Sequence, residues 1–535
     1  MSAALATTFR VLAETENEAA VRVLIAALDS PHAAVQEGAL RAVLARGSPA
    51  GGRELIRRLH TLPQWWEEIL RGNHGRMTGT LRDAILGTDP QMFVNGCRAA
   101  VWFREYDLIP ALLNLLEDPH QQHADLAGKT LLEVTEQLYE ELAAPRDYGN
   151  RRDPQLIRQH VISSLEASVK RFDRHQRREA IEAFLLLVGH DNVTLKQILR
   201  DPLHVGFLTT IEVLSSSPRN GVMRLLLNLL DDPQAPSAAL SVAANRTDLK
   251  FVQHLLRKIG REPSATVAQN LKHVESIAWL HSAAAILGQL DDASQHAAVR
   301  LVMGSATPRL QAFSMIQYLV LHGKPDGRHA AAEALRAYRG ADANSLVLEA
   351  LDDPDPRVQA AAVADLRQRG IPGSFARLVA LVDSPHAAVR AAARAQLGEF
   401  TFERFLRAFD MLDEEVRRST GMLVKKIDPR TVPLLEVEMK SRGRTRRLRG
   451  LAIARTIDAA EQLEPLILGL LEDEDHLIRA QAAAALGRCR SAASRRALQS
   501  ALGDRSQTVQ EAAHQSLAEQ AELRRLPRTL SDPRD

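Results

Sequence analysis

A five-position apolar pattern recurs along this chain and constrains its fold more than any other feature. Around Val389 the pattern places apolar residues eleven and seven positions earlier and four and eight positions later. These residues are Leu378, Val382, Ala393 and Leu397. The same offsets hold around four further positions, which are Val35, Val358, Ile478 and Val509. Side chains four residues apart share one stripe of a helix, so each copy predicts two short helices that each bury one stripe.

The copies follow one another at a regular interval of 27 to 32 residues in the last third of the chain. The central positions of these copies are Val358, Val389, Val416, Leu448, Ile478 and Val509. Between the two stripes stand Asp-Ser-Pro at 29–31 and 383–385 and Asp-Asp-Pro at 352–354. Asp and Ser are expected to cap the second helix, and Gly398 and Gly487 are expected to end it with a positive φ.

The composition agrees with a helical class. Hydrophobic residues make up 45% of the 535 residues and charged residues 25%, which is the balance of a folded protein with a long core. Aromatic residues are only 4%, whereas alanine recurs in runs such as 391–393 and 482–485. Small side chains let helices approach closely, and alanine is the best helix former. We therefore expect an all-α chain built as a superhelical solenoid of helical pairs with a period of about 30 residues.

Two stretches resemble a known repeat family. Residues 351–358, Leu-Asp-Asp-Pro-Asp-Pro-Arg-Val, and residues 389–393, Val-Arg-Ala-Ala-Ala, are similar to HEAT repeats, particularly their short bacterial form. The period is shorter than the 40 to 47 residues usual for these repeats. The resemblance implies an α–α solenoid whose surface binds other macromolecules.

The strength of the pattern divides the chain into four segments. We expect HEAT-like repeats over 1–136 and regular HEAT-like repeats over 336–522. Between them, 137–335 is predicted to hold degenerate helical repeats with an irregular insertion near 143–154, and 523–535 to be a polar, disordered tail. A continuous array of about 13 to 17 helical pairs follows from the period.

Catalytic signatures are missing from the sequence. It has no glycine-rich phosphate loop, no His-Glu-x-x-His helix and no Cys-x-x-Cys pair. We therefore expect no catalytic residues, no cofactor and no metal site, and we assign His120, His123 and Cys97 to structural roles. Two cysteines in 535 residues fit a reducing compartment, and no apolar run is long enough to span a membrane, so a cytoplasmic protein without membrane insertion is predicted.

Positive charge is concentrated in two windows although the net charge is only +2. Residues 417–449 hold eleven Lys or Arg against three acids, a net charge of +8, and residues 146–178 hold nine against four, a net charge of +5. Such clusters suit phosphates or an acidic protein surface, and a solvated face is the alternative. The candidate partner or anion contacts are Arg417, Arg418, Lys425, Lys426, Lys440, Arg442, Arg444, Arg446 and Arg447.

Several arginines directly follow a central position of the pattern, among them Arg390 and Arg479. The resemblance to HEAT repeats implies that such an arginine pairs with the turn aspartate of a neighbouring repeat. Asp383, Arg390 and Arg479 are accordingly expected to belong to a structural ladder.

The leading functional hypothesis is a non-catalytic scaffold or adaptor that binds a protein partner along the solenoid surface. Nucleic-acid binding through the windows 417–449 and 146–178 is the first alternative, with the HEAT-like alkylpurine glycosylases as its enzymatic extreme. An enzyme similar to the HEAT-like bilin lyases is the second, and it rests on fold analogy alone.

Overall fold

The computed structural model describes residues 3–61, 65–73, 75–120, 122–144 and 153–525, with side chains as far as residue 522. The chain forms two compact units, Met1–Leu319 and Val320–Asp535. Within the described residues all regular secondary structure is helical, which confirms the all-α class.

The first unit is built from twenty α-helices and the start of a twenty-first in its described part. They are α1 Ala3–Glu14, α2 Ala19–Leu28, α3 Ala33–Arg46, α4 Pro49–Arg58, α5 Trp65–Arg71, α6 Thr78–Leu86, α7 Pro90–Phe103, α8 Ile109–Glu117, α9 Ala124–Ala143, α10 Pro154–Val169, α11 Phe172–His175, α12 Arg178–Leu187, α13 Val193–Arg200, α14 Phe207–Ser216, α15 Asn220–Leu229, α16 Ser237–Asn245, α17 Leu249–Ile259, α18 Ala265–Leu271, α19 Ala283–Leu287, α20 Asp292–Gly304 and α21 Arg309–His322.

The second unit continues with thirteen α-helices over its described residues. They are α22 Pro325–Ala334, α23 Ala341–Leu351, α24 Pro356–Val363, α25 Ser374–Leu381, α26 Ala387–Gln396, α27 Phe402–Ala408, α28 Glu414–Ile427, α29 Thr431–Met439, α30 Arg444–Thr456, α31 Glu464–Leu470, α32 His476–Leu486, α33 Ala492–Ala501 and α34 Gln507–Arg525. Short 3-10 helices occupy Leu59–Thr61, Tyr106–Leu108, Ala278–Ser282, Leu335–Ala337, Arg367–Arg369 and Phe409–Met411.

Consecutive helices pack as pairs, such as α2 with α3 and α8 with α9 in the first unit and α31 with α32 and α33 with α34 in the second. The second helices of successive pairs also pack on one another. In the first unit α9 contacts both α7 and α12, and in the second α24 contacts α22 and α26 while α32 contacts α30 and α34. A row of stacked second helices is therefore common to both units, as expected for an α–α repeat.

The apolar pattern identifies the core at most of its central positions. Val358, Val389 and Ile478 are fully buried and Val509 is 1% exposed. Val416 is an exception, since 43% of it is exposed and its predicted burial is wrong. The reason is Gly421: a Cβ there would lie 2.5 Å from Ile457 Cγ2, so α28 packs through its glycine and turns Val416 outward.

The residues that cap the second helices differ from the predicted ones. Ser384 Oγ accepts the backbone N–H of His386 at 3.3 Å, and α26 starts only after that histidine. At 352–354 the helix cap is the next residue, Asp355, whose carboxylate accepts the N–H of Arg357 at 2.8 Å. The prediction that the Asp and Ser of these motifs cap the second helix is therefore wrong, because the chain needs two or three more residues to complete the turn.

The predicted glycine ends are also wrong. Gly398 and Gly487 do not have positive φ, and left-handed glycines instead follow α3 at Gly47 and the 3-10 helix after α24 at Gly370. Gly487 serves close packing, since a Cβ there would lie 2.9 Å from Ser516 Oγ of α34. A glycine is needed here because a larger side chain would not fit, and not because of its backbone conformation.

Two predicted irregular segments lie largely outside the described residues. Of the insertion near 143–154, residues 145–152 are not described; α9 ends at Ala143 and α10 starts at Pro154, capped by Asp153. Of the tail at 523–535, residues 526–535 are not described, and the backbone of α34 continues to Arg525.

Candidate functional site

Arginines at one helical position stabilise the turns of the second unit. The fourth residue of a second helix is arginine in five pairs, which we call the arginine row: Arg328, Arg390, Arg417, Arg447 and Arg479. Arg390 Nη1 donates to the carbonyl oxygens of Ser384 and Pro385, both at 2.8 Å. Arg479 Nη1 donates to the carbonyls of Asp473 and Glu474 at 2.8 and 3.1 Å. Turn carbonyls that no helix satisfies thus gain charged donors.

Two members of the row also hold a carboxylate of the following turn with two hydrogen bonds each. Arg479 Nε and Nη2 donate to the two carboxylate oxygens of Asp504 at 2.8 and 2.9 Å, and the two side chains are 5% and 15% exposed. Arg328 makes the same two-pronged contact with Asp353 at 2.7 and 3.1 Å. The Arg479 hydrogen bond holds the pKa of Asp504 below its usual range despite opposing burial. Such bidentate pairs tie one repeat to the next.

The remaining members of the row are arranged differently. Arg447 lies 3.2 Å from Asp473 and is the fourth residue of α30. The apolar pattern placed its central position at Leu448, so it predicted Arg449 for this role. Arg390 directs its guanidinium to turn carbonyls, while Asp383 pairs with Lys426 at 2.6 Å. Arg417 donates to the Asp410 carbonyl at 3.1 Å and lies over the Phe409 ring at 4.9 Å from its centroid.

Most of the positive charge in window 417–449 is neutralised by carboxylates within hydrogen-bonding distance. The window supplies three of these acids itself, in the pairs Arg430–Asp428, Lys440–Glu436 and Arg446–Glu438. Five more come from outside the window, in the pairs Lys426–Asp383, Arg430–Glu403, Arg449–Asp410, Arg447–Asp473 and Arg444–Asp475. The +8 counted along the sequence is therefore largely neutralised within the fold.

Four cations of the window have no carboxylate partner among the described residues, and they divide into two kinds. Arg417 is the arginine over Phe409, and Lys425 Nζ donates to the carbonyls of Ile457 and Asp458 at the end of α30, at 3.2 and 2.6 Å. Burial lowers the pKa of Lys425. Arg418 and Arg442 are exposed and make no side-chain hydrogen bond with any described residue. Within window 417–449, only these two arginines have a guanidinium group with no intramolecular partner.

One side of α28 combines Arg418 with exposed apolar surface. Arg418, Ser419, Met422, Lys425 and Lys426 follow at helical spacings, and we call this set the α28 face. The last four, with Leu423, border an open depression of about 470 Å³. Met422 is 42% exposed. The sequence analysis named Arg418, Lys425 and Lys426 of this face as candidate contacts, but it did not identify the exposed Met422 or Val416, because the apolar pattern assigned Val416 to the core.

A second exposed apolar residue extends the surface before the helix. Met411, at the end of the 3-10 helix that precedes α28, is 84% exposed, and Val416 in the first turn is 43% exposed. Met411 and Val416 are thus exposed where the chain enters α28, and Met422 and Arg418 are exposed further along the same helix. Such regions are typical of interaction surfaces.

The other basic window, 146–178, is only partly described. Arg171 Nε and Nη2 each donate to Glu117 at 2.9 Å, and Arg158 Nε and Nη2 donate to the Leu187 carbonyl at 2.9 and 2.7 Å. Arg177 lies 3.7 Å from Asp125. Four of the six described cations of this window therefore make intramolecular contacts, namely Arg158, Arg171, Arg177 and Arg178. Lys170 and Arg174 are exposed without such a contact among the described residues, and 146 to 152 lie outside the described residues.

The two cysteines are buried, and His123 packs on an aromatic ring. Burial raises the pKa of the Cys97 thiol to about 11 and that of the Cys489 thiol to about 12, which keeps both protonated at neutral pH. His123 stacks on Phe93 with ring centroids 5.0 Å apart. Across residues 3–525, with their gaps, no three His, Cys, Asp or Glu side chains are grouped to hold a metal ion.

The helices of the described segments do not meet the requirements of a membrane span. None of them is both long enough and apolar enough to cross a bilayer.

Comparison with known families identifies the repeats. Residues 314–398 and 432–518 match the family model for HEAT repeats. The chain contains HEAT repeats. The HEAT resemblance expected from residues 351–358 and 389–393 is thereby confirmed, and the matched HEAT segments include every member of the arginine row except Arg417. No curated protein matches the chain.

Several solved structures are similar to this chain at low identity. A chain from a structure concerning the interaction between cadherin and beta-catenin has a TM-score of 0.36 at 14% identity, covering 94% of this chain and 99% of that one. Yeast importin-beta has a TM-score of 0.24 at 12% identity, covering 97% and 77%. Kap121p has a TM-score of 0.24 at 13% identity, covering 97% and 53%, so this chain spans about half of it. Likeness this distant transfers neither a partner nor an activity.

Proposed function

We propose that this HEAT-repeat chain is a non-catalytic scaffold that binds a protein partner on the exposed surface of its second unit, with the α28 face at the centre of contact. The observation that supports the proposal is the exposure of Met422 one helical turn from Arg418, which has no partner in the described structure. Met411 and Val416 are exposed where the chain enters the same helix. Apolar surface that a partner removes from water contributes about 25 cal/mol per Å² to the free energy of binding. The flexible methionine side chain adapts to irregular surfaces.

Comparison with neighbouring repeats strengthens the choice of α28. The exposed positions that hold Ala391 and Ala395 on α26 hold Arg418 and Met422 on α28. Alanine offers little area and no charge, whereas arginine and methionine offer both an anchor and a charged donor. We infer a partner segment that presents a carboxylate to Arg418 and an apolar side chain to Met422.

Nucleic-acid binding through window 417–449 is the competing function, and the ion pairs weigh against it. Phosphate binding needs cations that can exchange solvent counterions for phosphates. Here eight carboxylates pair with seven of the window's eleven cations, and only Arg418 and Arg442 are exposed without a partner in the described structure. Two available arginines favour a local protein contact over a phosphate-tracking surface.

The cell location and the absence of catalysis belong to the same proposal. We propose a cytoplasmic location because both cysteines are free thiols buried in the core, which suits a reducing compartment. A bilin lyase-type activity has no further support in the described side chains, and incubation with bilin and an acceptor protein, scored for covalent transfer, tests it directly.

The test of the binding function is affinity purification of the tagged full chain from its native host, with and without nuclease. The variant carries Arg418→Glu and Met422→Ala, and the matched control carries Arg495→Glu on an exposed arginine of α33 in the same unit. We expect a reproducible protein that survives nuclease, disappears with the variant and remains with the control. Recovery that depends on nucleic acid, or that is unchanged by the variant, contradicts the proposal.

A further inference from the structure

A cavity of about 230 Å³ in the first unit has the chemistry of an anion site. It lies where α9, α10, α12 and α15 meet. Tyr139 comes from α9, Gln155 and Arg158 from α10, and Arg224 and Asn228 from α15. These five side chains supply two guanidinium groups, two amides and a phenol to one space. No described residue that lines the cavity carries a carboxylate.

The donors in this cavity are largely uncommitted. Tyr139, Gln155, Arg224 and Asn228 make no side-chain hydrogen bond with the described residues. Arg158 uses Nε and Nη2 on the Leu187 carbonyl, which covers the negative carboxyl end of α12 and leaves Nη1 available. Gln155 and Arg224 are exposed and Tyr139 and Asn228 are half-buried, so a ligand that accepts hydrogen bonds can reach all four from solvent.

Two acids lie near the cavity without lining it. Asp153, which caps α10, accepts the backbone N–H of Gln155 at 2.9 Å. Asp191 stands beside the lining residue Gly189, where a Cβ would lie 2.5 Å from Asp191 Oδ1 and 3.9 Å from Arg158 Nη2. The lining side chains themselves carry two positive charges, those of Arg158 and Arg224. Leu142 and Leu225 complete an apolar part of the wall.

We propose that this cavity binds a small phosphate monoester, with its phosphoryl group between Arg158 and Arg224. Guanidinium groups offer forked donors that match phosphoryl oxygens, and amide and phenol donors complete the coordination of a tetrahedral dianion. The volume accommodates a phosphoryl group with a few carbon atoms, which would rest on Leu142 and Leu225. This site is separate from the α28 face and does not depend on the proposed scaffold function.

The test is isothermal titration of the full chain with O-phosphoserine at constant ionic strength, compared with inorganic phosphate, serine and a capped phosphoserine peptide. Arg224→Gln is the main variant because Arg224 is exposed and its loss leaves no partner unsatisfied. Tyr139→Phe removes only the hydroxyl and keeps the ring that packs near Gly221. Arg257→Gln, an exposed arginine without a side-chain partner among the described residues on α17, is the matched control.

We expect O-phosphoserine to bind at one site, serine not to bind, and the peptide to bind more weakly than the free ester. Arg224→Gln should weaken binding about tenfold or more, since a hydrogen bond to a charged group contributes on that order. Tyr139→Phe should weaken binding less, and Arg257→Gln should leave it unchanged. No saturable binding, equal affinity in wild type and Arg224→Gln, or tighter binding of the peptide than of the free ester would overturn the proposal.

Discussion

Individual arginines of the second unit join turns rather than present charge. Arg479 shows this most completely, because its guanidinium reaches two turn carbonyls and both oxygens of Asp504 while remaining 5% exposed. Removing one member of a desolvated pair leaves the other without compensation. The cost of such a change therefore exceeds that of breaking a surface pair.

Arg479→Met should lower the free energy of unfolding by about 2–3 kcal/mol, the range for charged hydrogen bonds in partly buried sites. The matched control is Lys440→Met, which breaks the exposed pair with Glu436 and should cost about 0–1 kcal/mol. Urea unfolding followed by circular dichroism, with hydrogen exchange of α32 and α34, measures both. Equal effects of the two substitutions would show that the arginine row does not stabilise the turns.

The same pair predicts a pH dependence. Because Arg479 lowers the pKa of folded Asp504 below the unfolded value of about 3.9, its stabilisation is present above that pH and is lost as pH falls through the folded pKa. The melting-temperature difference between wild type and Asp504→Asn should therefore be large at neutral pH and shrink below about pH 4. A difference that stays constant with pH would contradict the assignment.

The sequence analysis expected ladder arginines to pair with the turn aspartate of a neighbouring repeat and named Asp383 and Arg390, which instead contact Lys426 and turn carbonyls. The pairs Arg328–Asp353 and Arg479–Asp504 are each separated by 25 residues, a spacing visible in the sequence. Asp383 has no arginine at the corresponding earlier position, because residue 358 is the core residue Val358. Which carboxylate an arginine pairs with depends on the rotation of each helix about its axis. The spacing of apolar residues does not predict that rotation closely enough.

At the scale of helices, the apolar pattern predicted the paired arrangement because burial of one stripe per helix determines how the pairs stack. It failed locally at α28. Gly421 lets that helix approach Ile457 and Phe405, and the closer packing rotates Val416 into solvent. A glycine inside a helix was the available signal for this departure.

Gly421→Ala tests this packing. Its Cβ would lie 2.5 Å from Ile457 Cγ2 and 2.8 Å from Phe405 Cζ, so overpacking should destabilise the unit by about 1–3 kcal/mol. Gly469→Ala in α31 is the matched control, because no atom lies within 4 Å of the place its Cβ would take and the helix gains propensity of up to about 1 kcal/mol. The two substitutions should shift the urea midpoint in opposite directions; a shift of both in the same direction would refute the close approach.

For the whole molecule, counting charge along the sequence overstated the positive charge that a partner would meet at window 417–449. Window 417–449 looked strongly cationic, yet Asp383, Asp410 and Asp473 reach it from other turns. Charge that is neighbouring in sequence is not the charge that a partner meets. What remains available is the smaller α28 face, where exposed apolar residues accompany Arg418.

The central claim, that the α28 face contacts a protein, is tested most directly by site-specific photo-crosslinking of the full chain in its native host. A photoreactive amino acid replaces Met422 in one variant and Arg495 in the other, and adducts are analysed after nuclease digestion. We predict a discrete protein adduct at position 422 that is lost when Arg418 is also changed to Glu, and none at 495. Adducts to nucleic acid at 422, or the same proteins captured from both positions, would contradict the claim.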